Sequence, residues 1–293
     1  MKPSFPYGGQ AVIEGVMIRG QSAVATACRL PNSEIRVRHD IPDSLVQRYR
    51  WLGIPFVRGT PALIDALRIG FRSLIYSVDL QAEGAGLKPV SPFTYVVTIA
   101  VALVVGIGVF VMAPAALLGH PKIHSFWMNV IEGLVRMALL TLYVGGISFL
   151  PEIRRVFQYH GAEHMVINAY EGGAAPGPEA AKAYHTVHRR CGSTFLMLVF
   201  VVAILVHAPA GWPEHWYVRM LSRLALLIPV AGVSYEIIRL AGRYKDSRLL
   251  TVLVSPGLLL QRLTTRPPTD DQLEVASTAL QAVLAEDEAR LKG

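Results

Sequence analysis

The chain has 293 residues, of which 52% are hydrophobic and 17% charged, and its formal net charge is +7. So apolar a composition, with the apolar residues clustered, excludes an ordinary soluble domain and points to a membrane protein. Lys and Arg flank the apolar stretches and do not gather in one patch, so positive-inside topology accounts for the charge and nucleic-acid binding is excluded. Two cysteines, Cys28 and Cys191, cannot build a disulfide framework. Both fall in segments expected in the cytosol, where thiols stay reduced.

Residues 1–60 read as a small cytosolic β unit with no signal-peptide core. Segments 23–30 and 35–39 flank the turn cluster Pro31-Asn32-Ser33-Glu34 and form a ribbon, which a strand over 11–18 is expected to join. Gly8, Gly9, Gly15 and Gly20 bracket that strand. Residues 61–92 give an interfacial helix and a linker. Pro61 suits a first turn, and Asp65, Arg68 and Arg72 within 62–78 argue against a membrane span.

Four spans follow, over 93–118, 126–150, 193–208 and 224–240. The first carries no charge and exceeds the roughly 20 apolar residues that a bilayer needs. The second holds Glu132 and Arg136, four apart and placed to neutralise each other. Arg219 and Arg223 are expected to snorkel at the outer end of the fourth, and Pro229 to bend it. Lys and Arg number eleven before the first span, five in residues 151–192 and seven after Leu240, against none over 209–216. Positive-inside bias therefore places both termini and the central loop in the cytosol, with domains at 93–150, 151–192, 193–240 and 241–293. In the tail, 249–260 is apolar but interrupted by Pro256-Gly257, and is expected to form an interfacial or re-entrant hairpin. Thr269-x-x-Gln272 is a capping-box start for a terminal amphipathic helix carrying Leu273, Ala276, Leu280, Val283 and Leu284 on one stripe. The fold class is thus an α-helical polytopic membrane protein of four transmembrane helices, with a small N-terminal β unit and cytosolic helices.

The chemistry gathers in the central loop, at His160-Gly161-Ala162-Glu163-His164. The order His-x-x-Glu-His is that of the inverzincin metallohydrolases. On a helix, His160 and His164 project from one face and can grip one ion, with Glu163 beside them as general base. A third ligand must come from elsewhere. Glu171 shares that face but lies about 10 Å beyond His164 at 1.5 Å per residue, which makes it an outer-sphere residue or a helix end. His188, Cys191 and Glu236 are the candidates. The structural alternatives are exposed loop histidines, a packed Cys191 thiol, and a Glu236 ion pair with Arg239 or Arg243.

The stretch 159–164, together with Gly8-Gly9-Gln10-Ala11-Val12-Ile13-Glu14-Gly15-Val16-Met17, resembles the YqhQ family (DUF1385). His188-Arg189-Arg190-Cys191-Gly192 and Gln261-Arg262-Leu263-Thr264-Thr265-Arg266-Pro267 agree with it as well. The family usually has Pro where Arg189 stands, and Gly-Thr-Ser in place of Gly192-Ser193-Thr194. The resemblance spans about residues 8 to 280 and implies a bacterial membrane protein described as a metal-dependent enzyme. It also gives Glu14 an outer-sphere or substrate-contacting place.

The expected function is a metal-dependent membrane hydrolase of the inner membrane, with a cytosol-facing site that activates water. Zinc is the first choice of divalent metal, and Fe and Mn are the runners-up. The substrate is a peptide bond, a lipid-linked group or a small molecule, and membrane lipid is the surrounding partner. The alternative is a scaffold or assembly factor with a structural metal site. A transporter is the weaker third reading, since the spans show no inverted repeat.

Overall fold

The computed structural model of the chain describes residues 7–42, 44–118, 124–211, 213–244 and 246–292. The expected connection around 120–125 lies largely outside the described residues. Four strands, β1 (Gly8–Val12), β2 (Gly15–Arg19), β3 (Val24–Arg29) and β4 (Ile35–Asp40), form an antiparallel meander in that order. The single strand expected over 11–18 is therefore corrected to a hairpin. Its Ile13-Glu14 turn holds Glu14 at φ 52°, and Val12 pairs with Gly15. Alternation missed the turn because apolar Val12, Ile13, Val16 and Met17 run through it without a Gly or Asn at the bend.

The helices follow in chain order. α1 (Gly59–Gly84) is longer than the 62–78 expected. α2 (Pro92–Ile107) opens with Ser91 accepting the Thr94 N–H at 3.2 Å and runs on through a π-turn to Met112. α3 is Ser125–Ile147, α4 Pro151–Glu171, α5 Gly192–His207, α6 Trp216–Arg243, α7 Arg248–Thr264 and α8 Asp270–Lys292. Among the described residues, Pro92–Met112, Ser125–Ile147 and Tyr217–Arg243 are long and apolar enough to cross a membrane. α5 is apolar but shorter: its 16 residues reach about 24 Å against a hydrocarbon core of about 30 Å.

Two expectations about polar residues in the bundle change. Arg219 and Arg223 are buried and do not snorkel. Arg223 bonds Asn129 Oδ1 at 2.5 Å and Glu132 Oε2 at 2.7 Å, so Glu132 serves two arginines, Arg136 and Arg223, from two helices. The hairpin expected over 249–260 is a continuous helix. Pro256 cannot donate to the Val252 carbonyl, and Ser255 Oγ donates to it instead at 2.8 Å. Gly257 admits α5: a Cβ there would lie 2.5 Å from Thr194 Cα.

The sheet is covered on both faces. On one, Val16, Ile18, Ala25 and Ala27 pack with Ala162 and Val166 of α4 and with Leu273 and Leu280 of α8. On the other, Val12, Met17, Val24 and Cys28 meet Leu80 of α1. α8 starts with the Thr269 N–H bonded to Gln272 Oε1 at 2.9 Å. Near its far end Asp287 accepts the Gln21 and Ser22 N–H groups at 2.8 and 2.7 Å. The segments before the first span, between the second and third apolar helices, and after the last one thus share one core.

Candidate metal centre

α4 is buried over most of Tyr159 to Ala169, because the sheet, α8 and the short helical turn Pro178–Ala181 pack on it, and Thr264 at the end of α7 and Cys191 before α5 reach His160. Polar residues in such a helix must find partners or lose their hydration uncompensated. His160 Nδ1 lies 2.8 Å from the Thr264 carbonyl, and His164 Nδ1 lies 2.6 Å from that of Thr186. A carbonyl only accepts, so both Nδ1 atoms carry hydrogen, and the Nε2 atoms are the ones an ion would take, displacing any proton held there. The two rings are 4.3 Å apart between centroids.

Both Nε2 atoms converge on the entry to α5. His160 Nε2 is 3.1 Å from Cys191 Sγ, and Ser193 Oγ is 3.2 Å from the same sulfur. One ligand atom each from His160, His164 and Cys191 lies within 4.8 Å of the other two. Bonds of about 2.0 Å to nitrogen and 2.3 Å to sulfur would bring such atoms onto a single ion with small adjustments. Among the described residues, His164 Nε2 is buried without a hydrogen-bond partner.

The electrostatics favour a thiolate. Burial works against charge on Cys191, but His160 and His164 outweigh it and hold the thiol well below its usual range. Burial likewise disfavours charge on His160, yet Cys191 and Glu163 raise it to about 9. Cys28 behaves oppositely. Packed in the sheet, its thiol is pushed up to about 12, chiefly by burial. The two cysteines thus differ: Cys28 is a packed thiol, and Cys191 sits where two imidazoles favour its ionised form.

Glu163 is buried between β1 and the histidines, where it accepts the Gly9 N–H. Its Oε2 has no partner. Burial pushes its carboxyl up against the pull of His164 and His160, the direction that suits a general base. Gly9 permits this approach, since a Cβ there would fall 3.1 Å from Glu163 Oε1.

The other candidates stand around this group or apart from it. The His188 ring lies 5.6 Å from that of His164, and its Nε2 lies 3.6 Å from Glu171 Oε1. Glu171 also pairs with Arg190, which bonds the Tyr7 carbonyl at 3.2 Å. Glu14 pairs with Arg155 and accepts from Tyr159 Oη at 3.2 Å, one residue before His160. Glu236 is not brought to the histidines. Arg58 takes both its oxygens, at 2.7 and 2.6 Å, and the Phe56 N–H adds a third bond at 3.3 Å. Its partner is neither Arg239 nor Arg243.

Sequence reasoning missed the parts that hold the site. Gln261, fully buried, bonds the His188 N–H and carbonyl at 2.8 Å each and reaches Thr194. Gly161 is required because a Cβ there would lie 2.1 Å from the Arg266 carbonyl oxygen. The signal available was that Gly9 and Gln261 to Arg266 fall in the stretches carrying the family resemblance. Gly161→Ala should displace residues 264–266 and cost roughly 1–3 kcal/mol of stability by overpacking. Thermal unfolding beside an Ala162→Gly control measures it, and an unchanged midpoint would show that the segment yields freely.

The family model described as "Protein of unknown function (DUF1385)" matches residues 54–286. The chain is 34% identical over 299 residues to "Uncharacterized protein YqhQ" of Bacillus subtilis (strain 168), covering 95% of this chain and 92% of that protein. No solved structure matches it. The match to the family model over most of the chain, and the identity to YqhQ along almost its whole length, carry one conclusion: the chain belongs to the DUF1385 family.

Proposed function

We propose that the chain is a membrane metallohydrolase of the bacterial inner membrane, with its metal held by His160, His164 and Cys191 and with Glu163 as general base. The observation that carries this reading is a matched pair of orphans. Among the described residues, His164 Nε2 and Glu163 Oε2 are both buried without a hydrogen-bond partner, beside a thiol that the two imidazoles hold well below its usual range. A buried polar atom left unpaired costs about 1–3 kcal/mol, and an ion with an activated water would satisfy both. A divalent ion bound there supplies Lewis-acid activation of water. The protein's own part is to keep both histidines in the Nδ1–H form, hold the Cys191 thiolate, and take a proton at Glu163. Two nitrogens and a sulfur suit zinc ahead of Fe or Mn. The substrate class stays a peptide bond, a lipid-linked group or a small molecule. Elemental analysis of the purified wild-type protein beside His164→Ala tests the metal, and an ion-free wild type would sink the reading.

The scaffold reading has one observation of its own. The His188 ring stands next to that of His164, so a rotation would supply a fourth ligand and close the site. Such a clip would tie α4 to the start of α5 without an open position for chemistry.

The shared core supports a four-crossing topology. The sheet, α4 and α8 pack together and so lie on one side of the bilayer. Two apolar helices, α2 and α3, separate the sheet from α4, and α5 and α6 separate α4 from α8. Since α6 is long enough to cross, α5 must cross as well to bring α8 back. Local bilayer thinning accommodates a helix this short at modest cost. Loop charge then sets that side as the cytosol. A reporter fused after Glu171 should read as cytosolic and one inserted near Gly211 as exported. A cytosolic readout at Gly211 would mean that α5 and α6 do not cross.

A further inference from the structure

Helix α1 carries apolar residues on two sides: Ile69, Tyr76 and Leu80 pack against the sheet, and a second apolar set is exposed. Its buried positions include Asp65, Gly70, Ser73 and Ser77, whereas Ile64, Leu67 and Phe71 are exposed, at 44%, 50% and 38%. The exposed set recurs at the three- and four-residue spacing of a single helical face, and Arg68 and Arg72 alternate with it. The polar residues among the inward-facing ones have partners there. Asp65 accepts the Leu45 N–H at 2.9 Å, Ser73 bonds Thr26 at 3.1 Å, and Ser77 accepts the Ile13 N–H at 3.2 Å. The outward apolar face has no such explanation among the described residues.

The segment before α1 continues that face. Trp51, Ile54 and Phe56 are exposed at 65%, 55% and 60%. Phe56 sits at φ 67°, the left-handed region, which costs a bulky residue on the order of 1–3 kcal/mol. The backbone is held there by α6. Glu236 accepts the Phe56 N–H and clamps Arg58, and a Cβ on Gly232 would lie 2.0 Å from the Phe56 carbonyl oxygen. A strained backbone pinned to an apolar helix thus turns an aromatic ring outward.

Geometry decides what covers this face. The N-terminal end of α1 is tied to the second half of α6 by Glu236–Arg58 and by Gly59 against Gly232. Its other end leads within eight residues into α2. A rod of about 39 Å tied at both ends to apolar, membrane-length helices lies along the membrane surface. Arg48, Arg50, Arg68 and Arg72 share this segment, and among the described residues none of the four has a carboxylate within ion-pair distance. Apolar side chains with interleaved arginines and a Trp fit an anionic lipid interface.

We infer that residues 48–72 form a lipid-binding face that lies in the anionic leaflet on the side of the sheet. Trp51, Ile54, Phe56, Ile64, Leu67 and Phe71 enter the acyl boundary, and Arg68 and Arg72 hold lipid phosphates. The inference rests on the membrane reading of the apolar helices and is independent of the metal centre. Its test is tryptophan fluorescence of the full-length protein in bilayers holding lipids spin-labelled near the headgroup or near the chain end. The Trp51 contribution is taken as the wild type less Trp51→Phe, and that of Trp127 on α3 serves as the membrane control. Quenching of Trp51 by the headgroup-proximal label more than by the deep label is expected, together with protection from an aqueous quencher. Arg68→Gln with Arg72→Gln should lower the preference for labelled anionic over zwitterionic lipid roughly fivefold per arginine. Quenching of Trp51 from water, while lipid still quenches Trp127, would overturn the inference and leave the membrane reading intact. Protection of Trp51 from both quenchers, with Leu67→Cys forming disulfide-linked dimers, would assign the face to a second copy of the chain. Failure of lipid to quench Trp127 as well would instead remove the membrane reading itself.

Discussion

Cys191→Ala should empty the metal centre while the fold stands. The sulfur is one of three converging donors, and the two remaining imidazoles make a weak site for a divalent ion. Removing an outer-sphere partner of a metal ligand typically costs 10–100-fold in affinity, so loss of a direct ligand should cost more than roughly a hundredfold. His164→Ala should match it, because its Nε2 is buried without a hydrogen-bond partner among the described residues and lies in the converging group. Glu236→Gln should leave the metal content unchanged, since Arg58 and the Phe56 N–H hold that carboxylate and it is not part of the converging group. His188→Ala separates two readings: a modest loss marks it as a neighbour, and a loss equal to that of Cys191 marks a closed four-ligand site. Metal content by elemental analysis and helix content by circular dichroism give the answer together. Full metal content in Cys191→Ala would overturn the ligand assignment.

How much of this was legible in the sequence varies with the physics of each element. The apolar helices could be read because length and hydropathy are local properties, and α5 fell short only because its termini are set by Cys191 and by the turn at Ala208–Ala210. The pair His160 and His164 was legible because helix geometry fixes the relation between residues four apart. The partners of that pair were not. Thr186 and Thr264 contribute backbone carbonyls, which every residue carries, so no side-chain pattern announces them. Glu236 was misplaced for a related reason: an acidic residue near a helix end looks alike whether it meets a metal or an arginine 178 residues away. The β1–β2 hairpin failed because Glu14 occupies a position with φ 52° that a glycine or asparagine would have flagged. Glu14 is held there by Arg155 and Tyr159 of α4, a contact that sequence spacing does not reveal.

Glu163→Gln should keep the metal and lose the reaction. The amide is isosteric with the carboxylate, its oxygen can still accept the Gly9 N–H, and the tight fit against Gly9 is preserved. Glu163 is outside the converging group of His160, His164 and Cys191, so no direct ligand is removed and the metal content should stay near that of the wild type. What disappears is a buried carboxylate able to take a proton, and general-base catalysis typically contributes 10²–10⁴-fold. Complementation of a strain lacking the chain, with metal content measured on the same variant, reads both quantities. Glu163→Asp adds a control: it keeps the charge but shortens the reach, so partial function would tie the loss to proton transfer and not to burial of charge. Loss of the metal in Glu163→Gln would make the residue a ligand and end the comparison with His-x-x-Glu-His hydrolases. Full function with full metal content would leave the ion as a clip between α4 and α5, and His188 would then be the residue to test as its fourth ligand.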